Sequence, residues 1–569
     1  MDIGIKIIIA VAVILVLIGI KMVCDEKARR KRMREFLINS WGKSADRNYS
    51  EEQWNAIVSY YKVLEKKAKE SQRHEFVDDI TWNDLDMDEV YQVWNHTRTS
   101  IGEEYLYAAL RHPIASDAEM EERERVITYL LEHTQERMYL QEALAEIGKL
   151  ERMSVYDHLE LIQDMKPIGA LPHILAGVCL VGALIGCAFA PEFMVIVSIA
   201  IMGGNIISYY QAKAKVDSYI RLFTFILHMV EQCEGVARKT IPGLEKYQDQ
   251  LKKQTSCFGK YRRFCFLVNG GSGMSGDIMD SLMDYIRILF HVDLVKMSTM
   301  IREAKKYEQQ LRIMYDTIGY LDTMLSTASC RIMYGEYCVP QLSHQANGKL
   351  AVTEMYHPLI PEGVRNSITA ERSALLTGSN ASGKSTFIKT VALNAILAQT
   401  LHTVLAENYQ ASWFCIASSM ALRDDILSQE SYYIVEIRSL KRILDLTRSS
   451  ELPVLCFIDE VLRGTNTVER IAASSRILQA IAEQGGLCFA ATHDIELTYL
   501  LEKEYDNYHF EEQVEDDKVT FDYCLREGRA CTRNAIRLLK MLGYDEKIVD
   551  DANERVALFL KSGNWVSSH

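Results

Sequence analysis

No C-x-x-C pair occurs in the sequence, although 13 of its 569 residues are cysteines. Zinc knuckles and thioredoxin-like redox motifs therefore have no support. An odd number of scattered cysteines is typical of a reducing cytosol, where cysteine acts as a small buried hydrophobe. Internal repeats and low-complexity tracts are lacking too. With 48% hydrophobic and 25% charged residues, the composition excludes a disordered chain, a collagen-like fibre and a small disulfide scaffold.

An excess of basic residues is missing as well. The chain has 64 Lys and Arg against 77 Asp and Glu, which gives a formal net charge of −13. That balance argues against a protein that binds nucleic acid by bulk positive charge. It leaves room for a local basic groove. Residues 252–263 form a modest basic cluster, which is either a DNA contact or a solvated helix face.

The mean hydropathy of −0.08 conceals long apolar runs. Residues 7–20 carry no charge. With residues 3–5, and with the Lys6 ammonium group snorkelling to the surface, they form an apolar segment of about 18 residues, the lower range for a membrane span. Several Lys and Arg follow between residues 27 and 34. This order favours an uncleaved anchor with the N-terminus outside over a cleaved signal peptide.

A second apolar block covers residues 171–210 and splits at Pro191 into the halves 171–190 and 193–210. Each half is long enough to cross a bilayer. Lys166 precedes the block and Lys213 follows it, which favours a hairpin with its tip outside and both ends in the cytoplasm. Its glycines permit close helix contact. A buried hairpin in a soluble core is the alternative.

These apolar runs, and the basic residues beside them, predict a protein of the cell membrane with three transmembrane helices and its larger parts in the cytoplasm. Amphipathic helical patterns dominate before residue 345, and short apolar runs alternate with helical patterns after it. The predicted segments are an N-terminal anchor at 1–24, a polar helical linker at 25–84, a helical core at 85–166, the membrane hairpin at 167–212, the second part of the core at 213–345 and an α/β domain at 346–569.

The sharpest motif is G-S-N-A-S-G-K-S at residues 378–385, which fits the phosphate-loop pattern G-x-x-x-x-G-K-[ST]. It follows an apolar run and precedes an amphipathic segment, as a strand, a glycine loop and a helix require. Backbone N–H groups of such a loop surround phosphate oxygens, the lysine neutralises them, and the serine hydroxyl reaches Mg²⁺. The predicted nucleotide-binding residues are Gly378, Ser379, Asn380, Ala381, Ser382, Gly383, Lys384, Ser385 and Thr386.

Two further apolar runs end in polar residues that suit phosphate chemistry. Residues 454–458 precede Asp459 and Glu460, and residues 487–491 precede Thr492 and His493. Because parallel strands end at one edge of a sheet, these side chains are expected beside the phosphate loop. Asp459 and Ser385 are predicted to hold Mg²⁺, and Lys384, Glu460 and His493 to be catalytic.

Together these motifs resemble those of the MutS family of mismatch-repair-type ATPases. D-E-V-L-R-G-T-N-T at 459–467 is similar to the family's D-E-x-x-R-G-T-[ST]-T, and T-H-D-I-E-L at 492–497 matches T-H-x-x-E-L. H-T-R-T-S-I-G at 96–102 resembles the T-x-T-x-x-G entry to the family's helical core. The resemblance implies an α/β P-loop ATPase domain of the ABC and MutS type, preceded by an all-α core.

The resemblance also implies ATP and Mg²⁺ as cofactors and a homodimer with composite sites. Ser431 lies in a stretch that matches the family's S-x-x-x-x-E and is expected to reach the partner's nucleotide in trans. Asn366, in the run-in to the phosphate loop, is expected to contact the nucleotide. The family's adenine-stacking aromatic should fall near 360–364, where the sequence reads I-P-E-G-V.

About 60 residues separate the N-terminal anchor from the core, and none resembles the family's mismatch-reading wedge. We therefore expect a membrane-anchored variant without the mismatch-recognition domain. It is expected to hydrolyse ATP to ADP and phosphate and to couple this reaction to DNA binding. The alternatives are an ATP-driven mechanoenzyme that acts on a membrane or protein partner without DNA, and a component of an ABC-type transporter.

Overall fold

The computed structural model describes residues 3–562, apart from residues 45–46, 71–75, 151, 166–168, 264–277, 346–347, 380–381, 421–431, 463–465, 516–517, 531–535, 537–538 and 540–542. The chain divides into two compact units. The helical unit comprises Met1–Arg73, Tyr91–Ala109 and Glu121–Met333. The sheet unit comprises His74–Val90, Leu110–Met120 and Tyr334–His569. The predicted combination of a helical N-terminal core and an α/β domain is thereby confirmed.

Helices follow one another along the first 334 residues, with short 3₁₀ turns at Ile162–Asp164 and Ser256–Phe258. The helices are α1 (Ile3–Ser40), α2 (Glu51–Glu70), α3 (Asp79–Asp84), α4 (Met87–Trp94), α5 (Ser100–Arg111), α6 (Asp117–Glu132), α7 (Thr134–Ile147), α8 (Val155–Leu161), α9 (Ala170–Gly186), α10 (Pro191–Arg238), α11 (Glu245–Thr255), α12 (Gly259–Arg262), α13 (Ile278–Phe290), α14 (Val292–Lys306) and α15 (Glu308–Tyr334).

The start of α5 packs against the middle of α15 in the helical unit. The fully buried Asp322 carboxylate accepts hydrogen bonds from the backbone N–H of Arg98 at 3.0 Å and of Thr99 at 2.9 Å, and from the Thr99 hydroxyl at 2.7 Å. A Cβ on Gly102 would collide with this carboxylate. The T-x-T-x-x-G pattern therefore supplies donors and space for one buried acid, whose desolvation these hydrogen bonds offset.

Helices α9 and α10 form the predicted hairpin, and α10 begins at the predicted break, Pro191. The Asn205 amide on α10 donates to the carbonyl of Ala176 on α9 at 3.2 Å and to that of Leu289 on α13 at 2.8 Å. Two of the predicted glycines do permit close contact, since a Cβ on Gly186 would lie 3.0 Å from Sδ of Met194 on α10, and one on Gly177 would lie 3.3 Å from the Phe290 carbonyl oxygen. The other three do not. A Cβ at Gly182 would meet no atom within 4 Å, and the same holds at Gly203 and Gly204.

The apolar side chains of the hairpin are largely exposed in the helical unit, so the alternative of a buried core hairpin does not apply. Phe189 is 85% exposed and Ile196 is 68% exposed. Pro191–Ala214 has the length and composition of a membrane span, with 17% of its most apolar window buried. No other helix in the part of the chain whose side chains the structure describes has this length and composition, and the apolar helix Ala170–Gly186 is shorter.

The prediction of three spans is therefore supported for one helix only. The N-terminal apolar run does lie in a helix, α1, which continues through the basic cluster to Ser40. The side chains of residues 3–19 are outside the described part of the chain.

The sheet unit contains two sheets. Its strands are β1 (Gln341–Ser343), β2 (Leu350–Met355), β3 (Asn366–Ala370), β4 (Ser373–Thr377), β5 (Asn408–Ser412), β6 (Cys415–Ser419), β7 (Val454–Asp459), β8 (Leu487–Ala491), β9 (Tyr505–Glu515) and β10 (Lys518–Glu527). The smaller sheet has the order β1-β5-β2-β3, and the larger has the order β10-β9-β4-β8-β7-β6. The helices are α16 (Lys384–Thr400), α17 (Tyr432–Ser449), α18 (Thr467–Glu483), α19 (Ile495–Leu500) and α20 (Glu546–Ser562).

The larger sheet is parallel from β9 to β6, and β10 pairs antiparallel with β9 at one edge. Strands β4 and β8 are buried along their whole length, and β7 is buried up to Asp459. Continuous apolar runs are typical of parallel strands covered on both faces. The parallel strands all end at the same edge of the sheet. The polar residues that follow β4, β7 and β8 meet at this edge.

Candidate nucleotide site

A cavity of about 620 Å³ opens at the carboxyl edge of the larger sheet. Its wall includes the end of the phosphate loop, the first turns of α16, and side chains from β3, β9 and β10. Most lining residues come from the motifs identified in the sequence. They are Met355, His357, Ile360, Glu362, Gly363, Val364, Asn366, Ser382, Gly383, Lys384, Ser385, Thr386, Phe387, Thr390, Glu460, Phe510 and Tyr523.

Two glycines permit the backbone conformation of the phosphate loop between β4 and α16. Gly378 has φ +147°, and a Cβ there would lie 2.9 Å from the Ser382 hydroxyl and 3.0 Å from the Phe510 carbonyl oxygen. Gly383, the residue before α16, has φ +102°. Both angles strain a residue with a side chain, so the two positions require glycine.

The loop folds around its own lysine. Lys384 is 4% exposed, and its Nζ donates to the carbonyl oxygens of Gly378 at 2.9 Å and Ser379 at 2.8 Å. Ser379 in turn donates its hydroxyl to Glu512 on β9 at 2.8 Å. The Ser382 Oγ is buried and has no hydrogen-bond partner within the described part of the chain. A buried hydroxyl beside a buried ammonium group fits a phosphate oxygen.

The predicted metal ligands are adjacent. The Ser385 hydroxyl at the start of α16 donates to Oδ2 of Asp459 at the end of β7, and the distance is 2.5 Å. One hydroxyl and one carboxylate oxygen make a hard donor set of the kind that Mg²⁺ takes together with phosphate oxygens. These residues therefore fit the ion.

The predicted catalytic pair is also brought together. Oε1 of Glu460 lies 3.0 Å from Nε2 of His493, and both side chains are partly exposed. Glu460 has φ +56°, and its backbone N–H donates to the Ala491 carbonyl on β8 at 3.0 Å. A left-handed conformation is unfavourable for glutamate. The backbone after β7 is thus strained in the conformation that aims Glu460 at the phosphate-loop cavity.

Neighbouring contacts hold the two ends of this pair. Arg470 on α18 binds the carboxylate of Asp494 through two hydrogen bonds, at 2.9 and 2.6 Å, and so fixes the residue after His493. On the other side, the buried carboxylate of Glu436 on α17 accepts a hydrogen bond from the backbone N–H of Leu462. Leu462 also has a positive φ, +60°. The sequence motifs did not reveal these supporting contacts, because they depend on the fold.

Asn366 lines the cavity, but its amide joins two strands. Its Nδ2 donates to the Tyr523 carbonyl at 3.0 Å, and its Oδ1 accepts from the Leu525 N–H at 2.7 Å. The amide therefore holds β3 against the irregular part of β10, where the register shifts between Phe521 and Leu525. The structure assigns Asn366 a positioning contact to Tyr523.

Tyr523 is the residue that the sequence reasoning missed. Its ring is 44% exposed, lines the cavity and would lie 3.1 Å from a Cβ placed on Gly383. The region expected to hold an aromatic, residues 360–364, also lines the cavity, with the partly exposed side chains of Ile360 and Val364. The cavity thus offers one aromatic ring and an aliphatic wall to a flat ligand such as a nucleobase.

His357, which also lines the cavity, holds the neighbouring backbone through an unprotonated ring nitrogen. Its Nδ1 accepts the Leu359 N–H at 3.1 Å. Burial, together with the nearby Lys389 ammonium, lowers the pKa of His357 to about 4. The ring is therefore neutral at physiological pH, and its hydrogen bond keeps the backbone at the cavity wall in place.

Several predicted residues lie outside the described part of the chain. These are Asn380 and Ala381 of the phosphate loop, Ser431, and residues 463–465 of the stretch that follows Glu460. Thr386 is described and lines the cavity on the first turn of α16.

Comparison with known proteins relates both units to one family. Residues 374–559 match the family model of MutS domain V. The DNA mismatch repair protein MutS of Streptococcus sanguinis is 24% identical over 516 residues, which is 82% of this chain and 59% of that protein. The protein of the same name from Natronomonas pharaonis is 31% identical over 245 residues, 42% of this chain and 28% of that protein.

A third relative, the DNA mismatch repair protein MutS of Thermus aquaticus, is 29% identical over 255 residues, 44% of this chain and 30% of that protein. The chain spans less than two thirds of the length of each of these relatives.

Proposed function

Because this chain belongs to the MutS family, we propose that it is a Mg²⁺-dependent ATPase that hydrolyses ATP to ADP and phosphate. One observation carries the proposal. The buried Lys384, the Ser385–Asp459 pair and the Glu460–His493 pair all lie at one edge of the larger sheet, around one glycine loop. Phosphoryl transfer needs this combination of positioned charge and an oriented water more than it needs covalent chemistry.

Each residue has a distinct task in this mechanism. The loop N–H groups and Lys384 bind the β- and γ-phosphates and neutralise the charge that spreads over the γ-phosphate oxygens. Ser385 and Asp459 would hold Mg²⁺, which would supply positive charge to offset the negative charge of the phosphates. The Glu460 carboxylate accepts a hydrogen bond from the attacking water and orients it toward the γ-phosphorus.

His493 acts on the same water through Glu460. Its Nε2 contacts the Glu460 carboxylate, which fixes the direction of that carboxylate. Since Asp494, the next residue, is held by Arg470, the imidazole is carried on a rigid segment. The adenine base stacks on the Tyr523 ring and contacts the aliphatic wall around Ile360.

The family also supports a homodimer in which Ser431 of one subunit completes the nucleotide site of its partner. Hydrolysis would then depend on closure of the dimer. The exposed apolar surface of the α9–α10 hairpin supports anchoring in the cell membrane, with the apolar run in α1 as a further anchor and the sheet unit in the cytoplasm. In this arrangement ATP binding is coupled to DNA held by the helical unit.

Replacement of Lys384 by alanine tests the nucleotide site. The variant loses the ammonium group that binds the phosphates, so ATP affinity should fall by roughly a hundredfold or more, as expected for a lost charge-assisted contact of about 3 kcal/mol. Fluorescence polarisation with a labelled ATP analogue measures it. Lys503→Ala, an exposed lysine outside the cavity, is the matched control and should bind as the wild type does.

DNA coupling is tested on the detergent-purified protein with duplex, mismatched and branched DNA, each with and without ATP, across a salt series. The relatives' name, DNA mismatch repair protein, supports binding to at least one of these. Phosphate contacts give an affinity that falls steeply with salt. If no DNA shows salt-sensitive binding, the ATPase instead acts on a membrane or protein partner.

A further inference from the structure

A second cavity, of about 880 Å³, lies in the helical unit, far along the chain from the nucleotide motifs. One wall is a single face of α9, where lining residues recur at helical spacing from Ile174 to Ile185. The opposite wall is the corner between α13 and α14, with Phe290, Val292 and Val295. We call this cavity the hairpin groove.

Contacts along α9 and α14 show which way the groove runs. His291, at the corner before α14, has its Nδ1 2.9 Å from Nδ1 of His173 near the start of α9. At the other end of α14, the Lys305 carbonyl accepts a hydrogen bond from Gln163, which precedes α9 in the chain. Helix α14 therefore runs away from the hairpin tip, and its later residues lie toward the end of the groove where α9 begins.

The polar side chains of the groove collect at that end. Lys296 is 8% exposed, and its Nζ donates to the carbonyl oxygens of Lys260 at 3.1 Å and Tyr261 at 2.6 Å. This holds the turn that carries the exposed Lys260 and Arg263 against α14, next to Thr299. No Asp or Glu is among the described residues that line the groove. Its charge is therefore entirely positive.

The length of the apolar part matches one leaflet of a bilayer. Ile174 and Ile185 are eleven residues apart on α9, or about 16 Å at 1.5 Å per residue. Half of a hydrocarbon core about 30 Å thick is about 15 Å. In the topology proposed above, the basic end would lie where the hairpin leaves the membrane on the cytoplasmic side. That side carries the anionic lipid surface to which Lys and Arg are attracted.

We propose that the hairpin groove binds one anionic glycerophospholipid of the cytoplasmic leaflet, with an acyl chain along α9 and the phosphate group against Lys260 and Arg263. This inference rests on the membrane placement of the hairpin proposed above. It gives Lys260 and Arg263, at the end of the basic cluster, a lipid headgroup as their ligand in place of DNA. It also explains why Gly182 has open space around it, since a side chain there would fill the groove.

Native mass spectrometry of the detergent-solubilised full chain tests the proposal, with phosphatidylglycerol and phosphatidylcholine as the added lipids. The wild type should retain phosphatidylglycerol in preference to phosphatidylcholine. K260E combined with R263E should reduce phosphatidylglycerol retention by roughly tenfold or more, because the headgroup loses two cations and meets two anions. The matched control, K252E with K253E, reverses two charges on the exposed face of α11 and should leave retention unchanged.

A second pair of variants tests the apolar part. G182F places a ring in the groove and should lower retention of phosphatidylglycerol, whereas G203F, at an equally open position that does not line the groove, should not. Equal retention by G182F and G203F, or equal loss in both charge-reversal pairs, overturns the lipid site. Glycerol 1-phosphate at millimolar concentration should not compete, because it lacks the acyl chains.

Alkaline carbonate extraction of membranes, made with the wild type and every variant, separates the two proposals. Wild-type protein that stays with the membrane but shows no phosphatidylglycerol preference contradicts only the lipid site. Wild-type protein released by carbonate contradicts the membrane placement and the lipid site with it.

Discussion

At the scale of single residues, the nucleotide site depends on oxygen and nitrogen atoms that come from distant parts of the sequence. Ser385 and Asp459 are 74 positions apart, yet their side chains are 2.5 Å apart. Glu460 is held in a strained backbone conformation beside His493. Backbone strain of this kind costs roughly 1–3 kcal/mol and persists where the surrounding structure enforces it. The strained glutamate is the residue to which we assign the attacking water.

Tyr523 gives a prediction at this scale. Tyr523→Ala should weaken ATP binding by roughly tenfold or more, because stacking of a base on an aromatic ring contributes about 1–3 kcal/mol. Isothermal titration calorimetry measures the change. Tyr523→Phe keeps the ring and should bind ATP nearly as the wild type does. A loss of equal size in both variants would show that the hydroxyl or the local backbone, and not ring stacking, sets the affinity.

At the scale of elements, the strands that carry the site were predictable. Apolar runs at 373–376, 454–458 and 487–491 correspond to β4, β7 and β8, because a parallel strand buried on both faces reads as a continuous apolar segment. The glycine loop was predictable as well. Gly378 and Gly383 have positive φ angles, which favour glycine, so the spacing of the two glycines marks the loop in the sequence.

What sequence reasoning missed depends on tertiary geometry. Tyr523 reaches the cavity because β10 changes register beside it and Asn366 holds the irregular segment. No local pattern encodes that bulge, so Asn366 was expected to touch the nucleotide itself. Likewise, Gly182 and Gly203 were expected at helix contacts, because small residues permit close packing. In the structure no atom lies within 4 Å of a Cβ placed at either position. The sequence of a segment does not show whether another helix packs against it.

The α9–α10 hairpin gives a prediction at the element scale. A cysteine at the exposed tip, Phe189→Cys, should react with a membrane-impermeant maleimide added to intact cells, because the proposed topology places the tip outside. Val468→Cys, exposed in the sheet unit, should react only after the cells are permeabilised. The unmodified chain gives the background from its own cysteines. Labelling of residue 468 in intact cells would contradict the topology.

At the scale of the whole molecule, the chain combines a helical unit that carries an exposed apolar hairpin with a sheet unit that carries the candidate nucleotide site. The net charge of −13 gives no general attraction to DNA, so any DNA contact must be local. The similarity to MutS proteins supplies the expectation of ATP-driven closure between two subunits. The membrane hairpin would fix where in the cell that closure acts.

If Glu460 orients the water for ATP hydrolysis, Glu460→Gln in the full chain should bind ATP and fail to hydrolyse it. Glutamine has nearly the same shape but no negative charge with which to accept a proton from the water. ATP binding and phosphate release are measured on the same preparation, with Mg²⁺ present. We expect an ATP affinity within about threefold of the wild type and a loss of turnover of roughly a hundredfold or more. Phosphate release at the wild-type rate would contradict this role of Glu460.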